Sequence, residues 1–218
     1  MKKIAALLLL ATACGAAPAR AVDDARIGKT EFHAVVQLQD MTGRTFCSGV
    51  IVNRVVLTAW HCVSDGERTF VETIDGRWEA ALSDSDPVAD LAVLMPVDGR
   101  RLPKGVKVAR KAPGFGDGVG ILGHALGQYT NTLTRGIVSY HLRANGIYGG
   151  DWMQHDAGQI GGNSGGPVYN SKGQLAASLS FSIIQNIYCV VGCAGAYQDT
   201  HIHGAVHISH LKQILAGK

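Results

Sequence analysis

Long apolar runs are scarce in this chain of 218 residues. The run at residues 4–11 is too short to cross a bilayer, and no later stretch reaches the roughly 18 apolar residues that a membrane helix requires. A membrane-spanning helix is therefore excluded and a soluble mature chain is expected. Aromatic residues are also few, at 6%. The formal charge of +3 vanishes with the first 21 residues, because losing Lys2, Lys3 and Arg20 takes the 20 basic residues to 17, equal to the 17 acidic ones. A neutral, aromatic-poor chain has no electrostatic footprint for nucleic acid or an anionic membrane. Internal repeats and low-complexity tracts are missing too.

What the first residues do hold is a leader. Met1-Lys2-Lys3 brings positive charge to the apolar run and Ala19-Arg20-Ala21 follows it, which reads as a secretory signal peptide over residues 1–21, cleaved to leave Val22 first. A second reading competes: Ala11-Thr12-Ala13-Cys14-Gly15 loosely resembles a lipobox, with Cys14 as the lipidated residue, although alanine stands where leucine is usual. The plain leader is favoured, and either route exports the protein to the periplasm or the medium. Cleavage leaves Cys47, Cys62, Cys189 and Cys193, an even set that reads as two disulfides in an oxidising compartment. Of the three pairings, Cys47 with Cys62 and Cys189 with Cys193 is the most local. Zinc is disfavoured, since Cys189 and Cys193 lack a second ligand pair at finger-like spacing.

Short β-rich runs at 34–39, 46–52, 55–59, 91–96, 118–122, 132–140, 167–169 and 174–184 recur between turn signals such as Asp75-Gly76, Asp98-Gly99 and Asn145-Gly146. The pattern predicts an all-β, many-stranded antiparallel protein. Helical spacing is confined to 207–215, after a Ser209 cap, so one short C-terminal helix is expected. The Gly- and Pro-rich stretch 110–118 is the natural linker. It divides 22–112, which carries His61 and Asp90, from 113–218, which carries Ser164.

Those three residues carry the chemistry. A serine hydroxyl is a poor nucleophile at neutral pH and needs a base, which in turn needs a group to fix its tautomer and stabilise its cation. Histidine, with an ordinary pKa of about 6.5, suits the base. Asp90, leading an apolar run, suits the orienter; Asp84 and Asp86 compete for that role but lack the following strand. Glycines around Ser164 let backbone N–H groups turn toward a developing oxyanion, with Gly162 and Ser164 as donors.

The blocks Leu57-Thr58-Ala59-Trp60-His61-Cys62, Asp90-Leu91-Ala92-Val93-Leu94 and Gly162-Asn163-Ser164-Gly165-Gly166-Pro167 resemble the three signatures of chymotrypsin-like serine proteases. The resemblance implies two six-stranded antiparallel β-barrels with the site between them, and an endopeptidase acting through a Ser-His-Asp triad and an acyl-enzyme. The context of Asp90 and the run 155–164 resemble the bacterial high-temperature-requirement protease domain, here expected without a PDZ domain. Asn163-Ser164 also resembles the glutamyl endopeptidases, and Cys47 with Cys62 beside His61 resembles the disulfide of the trypsin type. Trypsin-like zymogens carry aspartate where Asn163 stands, so no charge-driven zymogen switch is expected, and Arg26-Ile27-Gly28 mimics an activation site only faintly.

By the same resemblance the specificity pocket has its base near Gly158 and a wall at Leu179, Ser180 and Phe181. With no aspartate at that base, a small-to-medium apolar residue is preferred over Lys or Arg, unless Asp156 reaches the pocket. A polypeptide is the expected partner, a monomer is slightly favoured, and no cofactor or metal is implied. His201, His203, His207 and His210 lack the carboxylate or cysteine partners of a metal site and read as loop and helix-surface residues. Two other functions stay open: an inactive homologue serving as an exported binding module, and an esterase using the same triad.

Overall fold

The computed structural model describes residues 25–142, 151–187 and 196–218. The leader, Cys14, Cys189 and Cys193 lie outside the described residues. The order is a short helix α1 (Lys29–Ala34), then β1 (Val35–Gln39), β2 (Thr45–Val52), β3 (Val55–Thr58), β4 (Thr69–Thr73), β5 (Gly76–Asp86) and β6 (Leu91–Pro96). After a connection come β7 (Gly118–Ala125), β8 (Tyr129–Leu142), β9 (Trp152–His155), β10 (Pro167–Tyr169), β11 (Leu175–Ile187), β12 (Ala196–His207) and helix α2 (Ile208–Ile214).

The strands close into two barrels of six, β1-β2-β3-β6-β5-β4 and β10-β11-β12-β9-β8-β7. Every pairing between these strands is antiparallel. Closure leaves no long unpaired edge. The β2–β3 hairpin turns through Asn53 and Arg54, at φ 48° and 68°, the left-handed pair that matches the twist of two antiparallel strands.

β1, β2, β3 and β6 are almost wholly buried, which is why their sequences read as unbroken apolar runs. Val36, Leu38, Val50, Val56, Leu57, Val71 and Leu91 fill the first barrel. The same packed cluster continues through Leu122, Trp152, Tyr169 and Leu175 to Leu211 and Ile214 of α2, so one apolar body spans the seam between the barrels. A smaller cluster, including Ile121, Val138, Met153, Val168 and Leu179, fills the second barrel. Tyr169 Oη donates to the Glu31 carbonyl at 3.1 Å, tying α1 to β10.

The pattern of apolar runs does not reveal β4, β5, β9 and β12. In β5 the inward residues are Trp78 and Ala80 while Arg77 and Glu79 face out, so the alternation is carried by only a few apolar side chains. The C-terminal helix corrects its expected cap. His207, not Ser209, is the N-cap residue, and its ring accepts from the Ser209 N–H at 3.3 Å. His203 is also corrected from a surface residue to the core: it lies in β12 with 0% exposure, its ring stacked 5.5 Å from that of the equally buried His155.

Candidate active site

His61 sits in a single 3-10 turn, Trp60–Cys62, that ends β3. Cys62 is joined to Cys47 of β2 by a disulfide, which fastens the turn to the barrel wall. The compact grouping of Cys47, Cys62 and His61 is therefore no open metal site in this state, because the two sulfurs are bonded to each other.

Asp90 lies just before β6, at φ 55°, and is 6% exposed. Its Oδ1 accepts the backbone N–H of His61 at 2.9 Å and its Oδ2 the imidazole Nδ1–H at 2.8 Å. One carboxylate thus fixes both the position of His61 and its tautomer, leaving Nε2 directed outward on a side chain that is 48% exposed. Burial pushes the Asp90 carboxyl up, but hydrogen bonds from His61, the nearby imidazole charge and the Ser180 hydroxyl outweigh it, and the net shift is down. Asp90 is held ionised. Asp84 and Asp86 lie elsewhere: Asp84 faces Lys218 and Asp86 faces His210.

The second barrel brings Ser164 to the same place on the loop before β10. Gly162 has φ +92°, and a Cβ there would fall 2.3 Å from the His124 carbonyl oxygen, so only glycine fits. The Gly162 carbonyl is held from the other barrel: it accepts from Ser48 Oγ of β2 at 2.7 Å, and that Oγ accepts the His124 N–H at 2.9 Å. The Ser48 N–H donates to the Ser164 carbonyl at 2.8 Å. With the carbonyls held inward, the N–H groups of Gly162 and Ser164 have no protein acceptor among the described residues. They remain open for an oxyanion. The Ser164 hydroxyl donates to the Ser180 carbonyl at 3.5 Å; the bond to His61 is not made in this resting arrangement, a common state of unliganded sites.

Beside Ser164 opens a pocket of about 680 Å³. Gly158, Ile160, Ser180 and Ser182 line it together with Thr132 and Thr134 of β8, and none of its lining among the described residues is charged. Thr134 Oγ1 donates to the Gly158 carbonyl at 2.8 Å. Of the four residues expected at the specificity pocket, Gly158 and Ser180 line this one and Leu179 and Phe181 do not. Leu179 is fully buried in the second core, because alternation along β11 turns it inward. Phe181 packs edge-on against Trp152, with ring centroids 5.1 Å apart. Asp156 does not reach the pocket; its Oδ1 accepts the Ile137 N–H at 2.7 Å.

Two contacts of the site escaped the sequence reading. Ser180, expected only as a pocket wall, also bridges the pocket and the His61–Asp90 pair, its hydroxyl donating to Asp90 Oδ2. Ser48 buttresses the Gly162 loop from the other barrel. Each acts on a group about 90 or more positions away in sequence, and no local motif marks such a contact. Asn163 is 2% exposed and carries no charge for a freed amine to seek. Ala25 and Ile27 meanwhile pack beside Gly120 in the uncut chain.

Similarity to known proteins agrees with this geometry. The Escherichia coli K12 serine endoprotease DegS is 38% identical over 147 residues, covering 63% of this chain and 41% of DegS. A probable periplasmic DegP-like serine endoprotease of Pseudomonas putida F1 is 35% identical over 133 residues, covering 59% of this chain and 27% of that protein. The chain thus spans about two fifths or less of the length of these curated relatives. Among solved structures, a serine endoprotease from Yersinia pestis superposes with a TM-score of 0.67 at 27% identity, over 88% of this chain and 67% of that one. A Mycobacterium tuberculosis protein in an inactive form, 22% identical with a TM-score of 0.65 over 86% of each chain, shares the fold. Residues 47–177, more than half of the sequence and including His61, Asp90 and Ser164, match the trypsin-like peptidase domain, and with both barrels closed around that site the chain belongs to the trypsin-like peptidase family.

Proposed function

We propose that this protein is an exported serine endopeptidase that cleaves polypeptides through Ser164, His61 and Asp90. The observation that carries the reading is the pair of hydrogen bonds that one buried carboxylate accepts from His61, set beside a serine loop with two open N–H donors. Ser164 turns from the Ser180 carbonyl toward Nε2 of His61, which takes its proton as Oγ attacks the scissile carbonyl carbon. The carbonyl oxygen becomes negative against the Gly162 and Ser164 N–H groups, which stabilise it by about 3 kcal/mol per donor. As the C–N bond breaks, His61 returns the proton to the leaving amine, and a water repeats the cycle to release the acyl group.

The uncharged pocket with its threonine methyls and Ile160 supports a small-to-medium apolar residue before the cleaved bond. The leader at residues 1–21 supports export, as does the periplasmic description of the Pseudomonas relative. The test is the purified mature protein against a serine-directed fluorophosphonate and a peptide library, with Ser164→Ala beside it. We expect labelling and cleavage by the wild type, and a loss of about 10⁶-fold in kcat for the variant with an unchanged melting temperature. Ester turnover without peptide cleavage would assign an esterase; neither labelling nor cleavage would assign a binding module.

A further inference from the structure

A groove of about 990 Å³ lies away from the candidate active site. It runs between the connection that joins the barrels and the turn after β10. It lies at the far end of the strands that lead to the catalytic candidates: β3 follows the Asn53 turn at the groove's rim and is followed by the turn of His61, and β10 follows the Ser164 loop and is followed by Asn170, also of the groove.

Its lining holds Lys104, Lys107, Arg110, Lys111 and Lys172 against one carboxylate, Asp117. All five cations are exposed. Among the described residues, none of them enters an ion pair, whereas Arg44, Arg68, Arg100 and Lys218 each have a carboxylate partner. Asp117 spends its Oδ2 on the Gly114 N–H at 2.7 Å. No acidic residue occurs between Asp98 and Asp117. Over residues 22–218 the 17 basic and 17 acidic residues balance, yet unpaired positive charge is gathered on one concave face, where low-dielectric walls strengthen its field.

The row is also rigid. Val106 N–H donates to the Ile51 carbonyl at 3.0 Å, the Lys107 carbonyl accepts the Leu175 N–H at 2.9 Å, and Ala109 N–H donates to the Leu175 carbonyl at 2.8 Å. The connection is thereby sewn to both barrels. At Gly105, φ +70°, a Cβ would fall 1.9 Å from the Ile51 carbonyl oxygen, so the close approach requires glycine. A fixed backbone presents the cations with less ordering left to pay on binding.

We infer that this groove binds an acidic polypeptide segment in extended form, at a site separate from the catalytic centre. Lys104 to Arg110 spans at most about 20 Å of chain, the reach of about six extended residues. A linear chain enters such a concavity and a planar bilayer does not. Among the described residues no aromatic side chain lines it to stack on bases. Four lysines to one arginine favour carboxylates met as point charges over planar bidentate capture.

The test uses the full mature chain carrying Ser164→Ala, so binding is read independently of whether the protein is a peptidase. A fluorescein-labelled octaglutamate peptide is followed by anisotropy at about 0.02 M and about 0.3 M salt, with octaglutamine as the neutral control. Octaglutamate binds at low salt and is released at high salt; octaglutamine does not bind. Lys107→Glu with Lys111→Glu weakens binding about tenfold or more, and Lys107→Arg with Lys111→Arg retains it. Equal binding by the charge-reversed protein overturns the inference, as does capture by phosphatidylglycerol vesicles or an oligonucleotide that octaglutamate cannot displace.

Discussion

The two barrels share a strand order but not an interior. The first closes on aliphatic side chains and buries one titratable group among its described residues, Asp90, at the very edge where it meets the second. The second buries His124, His155 and His203 together with Ser178 and Ser180. Desolvation pushes His155 down to about 3, helped by the facing His203, and pushes His124 down to about 4. The first barrel is a mount whose one buried titratable group, Asp90, is held ionised, and a disulfide fastens its His61 turn. The second holds its serine loop by hydrogen bonds and glycine geometry, and its interior stays neutral only while its imidazoles do.

The sharpest way to break this contrast is to change the mount's one buried charge among the described residues, Asp90. Asp90→Asn keeps the shape but presents an amide to His61, favouring the wrong tautomer, and should lower kcat by about 10⁴-fold with little change in KM. A variant within tenfold of wild type would show that His61 is oriented by other means.

On the other side, Gly162→Ala forces the loop off its left-handed backbone and moves an oxyanion donor. A fall in kcat of about 10²–10³-fold is expected, with the His61–Asp90 pair intact by NMR of the downfield imidazole proton. Loss of that proton signal as well would mean that the barrels are coupled more tightly than the separate anchoring suggests.

Acid should act on the second barrel first. For His155 and His124 the folded pKa lies below the unfolded value of about 6.5, so the unfolded chain binds more protons between the two. Stability is full above about pH 6.5 and falls as pH drops toward the folded values, by about 1.4 kcal/mol per unit for each imidazole. From pH 7 to 5 the two histidines should together cost about 4 kcal/mol, measured from urea midpoints. His155→Phe, which keeps a ring against His203, should halve that slope; an unchanged slope would remove His155 from the account.

The smallest effect tests the bridge between the barrels. Ser180→Ala removes one hydroxyl from Asp90, a hydrogen bond to a charged group worth about 1.5–3 kcal/mol. A kcat lowered about tenfold or more and an upward shift of the acid limb of the pH–rate profile are expected. A change confined to KM would assign Ser180 to the pocket alone.

How far the sequence could be read follows from how local each signal is. β1, β2, β3 and β6 were legible because both faces are buried and their apolar runs are unbroken. β5 was not, since Arg77 and Glu79 break the apolar pattern, and β12 was not, since imidazoles stand where aliphatic residues usually mark an inner face. His61, Asp90 and Ser164 were legible because each sits in a short block whose neighbours shape its own turn. Ser48 was not, because a serine that supports a loop more than a hundred positions away looks like any other strand serine. Leu179 and Phe181 were misassigned for a related reason: proximity to the pocket in sequence does not say which face of β11 a side chain takes.

The groove between the barrels makes the same point for charge. Composition determined that charge balances over residues 22–218, since a sum over residues needs no coordinates, and local motifs singled out His61, Asp90 and Ser164 as candidates for the chemistry. Only the fold decided that Lys172 joins Lys104, Lys107, Arg110 and Lys111 on one concave face, that Ser180 reaches Asp90, and that His155 stacks on His203. Each of these is a long-range juxtaposition created when strands close into barrels, and a field, a hydrogen bond or a desolvation penalty depends on distance in space rather than separation along the chain.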